Sequence, residues 1–106
     1  MSRLRLAILV FLAAAGMPSA HAQEQGDPQQ GATFARAICA SCHAVEKGNM
    51  RSPVAVAPSF STIAAVPGMT GAALSSSLNT SHRTMPNLIL PPDEARNVIA
   101  YILSLK

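Results

Sequence analysis

Residues 39–43 read Cys-Ala-Ser-Cys-His, and Cys39 and Cys42 are the only cysteines among the 106 residues. Two thiols three positions apart, with a histidine directly after them, restrict what the chain can build there. Four chemistries use part of this pattern: a disulfide, a redox dithiol, a zinc site and a covalently attached haem. A disulfide across two intervening residues closes a very small loop and stabilises little in a chain-entropy account. It also leaves His43 without a purpose. A thioredoxin-like dithiol needs a βαβ setting, and no strand is convincing: "VAVA" at 54–57 is short and sits between Pro53 and Pro58. A zinc site would need a fourth ligand, for which His82 is the candidate, at a spacing unlike that of paired zinc ligands.

The start of the chain bears on the choice. Arg3 and Arg5 precede an apolar run from Leu6 to about Ala15, and Ala20-His21-Ala22 has the small-x-small form of a signal-peptidase site. A run of about ten residues is too short to span a bilayer, which takes about 20. Residues 1–22 are therefore expected to be a secretory signal, cleaved after Ala22, and residues 23–106 a single exported domain. An expected mature chain of 84 residues holds six basic and five acidic residues, a net charge of +1, so the pI near 9.4 of the full chain rests partly on the two signal arginines. No basic patch points to nucleic acid. A domain this short buries a modest share of its surface and gains from a staple. Cys-x-x-Cys-His in an exported chain is the pattern of c-type haem attachment. Each thiol forms a thioether with a haem vinyl group, and the adjacent histidine lies under the iron as an axial ligand.

The remaining pattern is helical. Asp27 and Pro28 form a helix start, with a side-chain acceptor at the N-cap and proline at the first helical position. Gly31, Phe34, Ala35 and Ile38 follow at i, i+3, i+4 and i+7, one helical face leading into the cysteine motif. Glu46 to Pro58 reads as a loop. Ser59 can cap a short helix through about Ala65, and Thr70 another through about Leu78, with Pro67 and Gly68 breaking the chain between them. Pro91, Pro92, Asp93 and Glu94 open a last helix whose expected buried stripe is Ala95, Val98, Ile99 and Ile102. The sixth position on a haem iron then has four candidates: Met50, Met69, Met85 and His82. Met85 is preferred, because it precedes Pro86 in a loop between two predicted helices and lies far along the chain from His43. His/Met ligation gives a raised potential suited to electron transfer. Phe60, Leu74, Leu78 and Leu88 are expected to line the haem, together with Ile38, Ile63 and Leu90.

These residues resemble a small class I cytochrome c of the bacterial periplasmic type. The matching segments occur in that family's order: "GATFARAICASCHAV", "APSF", "SHRTMPNLIL" and "EARNVIAYILSLK". The resemblance spans essentially the whole expected mature chain. It implies an all-α fold of about four short helices wrapped around one covalently bound haem c, with the first and last helices crossing near Gly31 and the Ala100–Tyr101 pair. It implies Cys39 and Cys42 as thioether positions and His43 and Met85 as axial ligands, with Pro86 beside the methionine. It also implies that the Pro58 carbonyl accepts a hydrogen bond from the other ring nitrogen of His43. The chain departs from the family where Ala35 stands at an aromatic position, with Phe34 one residue earlier, and where Pro91 stands at a serine or threonine cap. It has no tryptophan to hold a propionate, for which Arg83, Thr84 and Asn87 are the available polar residues.

The function implied is one-electron transfer, with iron cycling between ferric and ferrous forms and no substrate at the metal. The expected partners are redox proteins such as a dehydrogenase, an oxidase or a respiratory complex, met transiently by a monomer. The alternative is a haem-based ligand sensor or small peroxidase-like enzyme with a labile sixth ligand. Its weakness is the lack of a distal acid–base pair.

Overall fold

The computed structural model describes residues 25–80 and 84–106. The expected signal segment, residues 1–22, lies outside them, as do His82 and Arg83. Four α-helices and one 3-10 turn make up the described secondary structure, and no strand occurs among the described residues. Helix α1 spans Pro28–Ile38 and runs into the 3-10 turn Cys39–Ser41; α2 is Phe60–Ala65, α3 is Gly71–Leu78 and α4 is Pro92–Ser104.

Local chemistry accounts for the helix starts. The Asp27 carboxylate accepts from the Gln29 and Gln30 N–H groups at 2.8 and 3.3 Å, with Pro28 pre-set for the first turn. Ser59 accepts from Thr62 N–H at 3.0 Å and Thr70 from Ala73 N–H at 3.2 Å. Pro91 leaves α4 without a side-chain cap, and Asp93 and Glu94 in the first turn complement the helix dipole instead. Gly68 adopts φ +74° after Pro67, and the Met69 N–H returns to Val66 C=O at 3.1 Å, closing the turn between α2 and α3.

Helix α1 crosses α4, and α4 also packs on α2 and α3. The crossing requires glycine. A Cβ on Gly31 would fall 1.9 Å from the Asn97 carbonyl oxygen and 2.9 Å from Tyr101 Cβ. The nearest atoms on α4 belong to Asn97 and Tyr101, one helical turn apart, so the expected contact at Tyr101 is present and Asn97 joins it. Asn97 adds a clamp: its Oδ1 accepts from Asp27 N–H at 2.7 Å, tying the start of α1 to the middle of α4.

The buried stripe of α4 is Val98, Tyr101 and Ile102, continued by Leu105 at its C-cap, whereas Ala95 and Ile99 are only half-buried. The face turns toward Tyr101 because Gly31 admits α1 closely at that point. On α1, Gly31, Ala32 and Ala35 are buried and Phe34 is half-buried. Ile38, expected to line the haem, is 45% exposed and lines the cleft described below. Phe60 takes the place of the missing helical aromatic: its ring centroid lies 6.4 Å from that of Tyr101. The Tyr101 hydroxyl donates to the Val45 carbonyl at 2.7 Å.

Candidate functional site

One cleft of about 370 Å³ gathers the ten residues singled out as site candidates: Cys39, Cys42, His43, Pro58, Phe60, Leu74, Leu78, Met85, Pro86 and Leu88. Ile38, Ile63 and Leu90 line it as well. The end of α1 and its 3-10 turn bring the cysteines there, α2 and α3 bring Phe60, Leu74 and Leu78, and the segment before α4 brings Met85, Pro86, Leu88 and Leu90.

His43 has a defined hydrogen-bonding state. Its Nδ1 lies 2.6 Å from the Pro58 carbonyl oxygen. A carbonyl only accepts, so Nδ1 is the donor, and in the neutral imidazole Nε2 is then the nitrogen with the free lone pair. The ring also packs against Phe60 at a centroid distance of 5.5 Å. The chain holds this geometry from both sides. His43 N–H donates to Cys39 C=O at 2.9 Å, Val54 N–H to Cys42 C=O at 3.2 Å, and Phe60 N–H to Ala44 C=O at 2.9 Å.

Both cysteines are free thiols, each half-buried. Burial pushes the Cys39 thiol up to about 11, so it is protonated at neutral pH. A redox dithiol relies on a depressed thiol in an electropositive setting, and Cys39 has the opposite environment. Among the described residues no group of three or more His, Cys, Asp or Glu side chains is arranged to hold a metal ion, and His82, the fourth ligand a zinc site would need, lies outside them.

The methionines separate clearly. Met85 lines the cleft. Met50 is 63% exposed and accepts weakly from Ser59 Oγ, 3.7 Å from its sulfur, away from the cleft. Met69 packs against the core, and its carbonyl accepts from Lys106 Nζ at 2.8 Å. Of the polar candidates near Met85, Thr84 lines the cleft and Asn87 does not.

The sequence reading missed several residues here. Val54 and Val56 of the "VAVA" stretch line the cleft while 39% and 70% exposed. Alternation of apolar residues between two prolines was the available sign that they face something. Ser52 accepts from Ala44 N–H at 3.0 Å, beside the histidine, and no sequence pattern marks it.

The cleft fits a haem. Apolar side chains left accessible at Ile38, Val54 and Val56 form a cradle for a large flat apolar group. The donor set within it is one imidazole with a free Nε2, one thioether and two thiols. None of the cleft-lining residues is Asp, Glu, Lys or Arg.

Relatives agree with this chemistry. Residues 26–102 match the family described as "Cytochrome C oxidase, cbb3-type, subunit III". The protein named cytochrome c-552 of Bradyrhizobium diazoefficiens (strain USDA 110) is 37% identical over 103 residues, covering 97% of this chain and 95% of that protein. No solved structure matches the chain. With its helical fold and apolar cleft, the chain belongs to the cytochrome c family: it is a small class I cytochrome c, an electron carrier of the kind that holds covalently attached haem c.

Proposed function

We propose that the chain carries single electrons between redox proteins outside the cytoplasm, using a haem held by Cys39, Cys42, His43 and Met85. When bound, haem c supplies an iron that accepts and returns one electron. Cys39 and Cys42 fasten its edge through thioethers. His43 would offer Nε2 to the iron, and Met85 would offer its sulfur. Phe60, Leu74, Leu78 and Leu88 keep water away. The observation that carries the reading is the 2.6 Å contact from His43 Nδ1 to Pro58 O within a cleft that also holds both thiols and Met85. That bond fixes the tautomer and aims the ring, as outer hydrogen bonds do at metal sites.

Export with cleavage after Ala22, leaving residues 23–106 as one mono-haem domain, completes the proposal. No helix among the described residues is long and apolar enough to cross a membrane. The weak net charge of the expected mature chain favours small, transient encounters with partners over strong long-range steering. With His43 and Met85 both holding the iron, no substrate would reach it, and the protein would act as a carrier and not as an enzyme.

The test is the absorption spectrum of the exported protein in both oxidation states, with Met85→Ala alongside. Low-spin spectra, with a weak far-red sulfur-to-iron band in the ferric form that the variant loses, support the reading. A high-spin spectrum, or ready carbon monoxide binding by the ferrous wild type, overturns it in favour of a sensor or peroxidase-like role.

A further inference from the structure

The loop that returns from His43 to α2 is tied back at both neighbours of the histidine. On one side the Cys42 carbonyl accepts from Val54 N–H. On the other, Ala44 is 4% exposed and both its backbone groups are engaged: its C=O accepts from Phe60 N–H at 2.9 Å and its N–H donates to Ser52 Oγ at 3.0 Å. Among the described residues, Ser52 is the only side chain hydrogen-bonded to the backbone of residues 42–44. The other ties are backbone to backbone and persist whatever the side chains are. This one depends on a hydroxyl.

We propose that Ser52 is a positioning residue that tunes the reduction potential through His43. By holding Ala44 N–H, the hydroxyl fixes the peptide from which the His43 ring projects. It thereby sets the length of the Nδ1–H···O=C bond to Pro58. A short bond to a carbonyl gives the imidazole partial imidazolate character and makes Nε2 a better donor to ferric iron. Loosening it weakens that donation and favours the ferrous form. The inference rests on the reading of His43 as an axial ligand.

The experiment is a redox titration of the haem-loaded protein beside its thermal unfolding, for Ser52→Ala, Ser52→Thr and Ser61→Ala. Ser52→Ala raises the potential, so that the ferrous-to-ferric ratio at a fixed ambient potential increases severalfold; tenfold corresponds to about 59 mV for one electron. Ser52→Thr keeps the hydroxyl and restores the wild-type potential. Ser61 Oγ, on α2, accepts from Gly48 N–H at 2.8 Å and has no hydrogen bond to residues 42–44, so Ser61→Ala lowers the melting temperature and leaves the potential unchanged. If Ser52→Ala does not accumulate, Ser52→Val against Ser52→Thr makes the same comparison at equal shape, and the valine variant has the higher potential. A Ser52→Ala potential equal to wild type, or an equal shift in Ser61→Ala, overturns the proposal while leaving the site intact. A wild-type spectrum lacking histidine-ligated iron overturns both.

Discussion

The two walls of the cleft are built differently. The wall that carries His43 is held by the protein's own hydrogen bonds: the ring to Pro58, Cys42 to Val54, and Ala44 to both Ser52 and Phe60. The wall that carries Met85 has none of this. Among the described residues, segment 84–90 makes no hydrogen bond, and Ile89 within it is 93% exposed. Its ties to the rest are the side chains that line the cleft, Met85, Pro86, Leu88 and Leu90. Of the two proposed ligands, His43 is thus preset by the chain, and Met85 is offered on a segment that can adapt. A small domain gains rigidity where orientation tunes the metal and leaves slack where a single sulfur must reach it.

The largest test of this contrast removes the anchor. Cys39→Ala with Cys42→Ala abolishes covalent attachment and leaves the chain largely unfolded by circular dichroism, because the cleft is lined by apolar side chains that then have nothing to cover them. Native helix content in that variant would break the account. Next is Gly31→Ala, which drives a methyl into the Asn97 carbonyl, moves α1 against α4 and costs about 3 kcal/mol in chemical denaturation. A loss below about 1 kcal/mol would mean that the crossing relaxes freely.

Tyr101→Phe is smaller. It leaves the Val45 carbonyl, in a residue only 4% exposed, without its donor, at about 1–3 kcal/mol. It also changes the alkaline limb of stability. Burial, and then the Glu46 carboxylate, raise the Tyr101 phenol above its ordinary value of 10.0. The folded chain therefore holds that proton more tightly than the unfolded chain does. Its contribution is whole below pH 10 and is lost as pH rises through the higher folded value. The phenylalanine variant should show a shallower alkaline decline. The smallest expected effect sharpens the contrast of walls. Met85→Ala leaves hydrogen-exchange protection at the Ala44, Val54 and Phe60 amides nearly unchanged, while amides of 84–90 exchange readily even in the wild type. Strong protection across 84–90 would erase the distinction.

What was legible in the sequence follows the range of the interactions. Caps at Asp27, Ser59 and Thr70 act within three residues, so the helix starts could be read directly. The cysteine–histidine motif is local too. Ties across distance were not legible. Asn97 holds Asp27 from 70 residues away, and a polar residue one turn before Tyr101 was its only sign. Phe60 replaces the expected helical aromatic against Tyr101, which follows from how α2 lies on α4 and from no spacing in the chain. Ile38 read as lining the haem, but the valines of 54–57 read only as a doubtful strand, because a short apolar run does not say whether protein or cofactor covers it.

The central claim is that Met85 closes the iron opposite His43. The most direct measurement is the proton NMR spectrum of the ferrous protein with methyl-labelled methionine. The account predicts that the Met85 methyl is carried far upfield by the haem ring current, with Met50 and Met69 near ordinary positions, and that Met85→Ala removes the shifted line. All three methyls at ordinary positions would contradict it, and would send the search for the sixth ligand to His82.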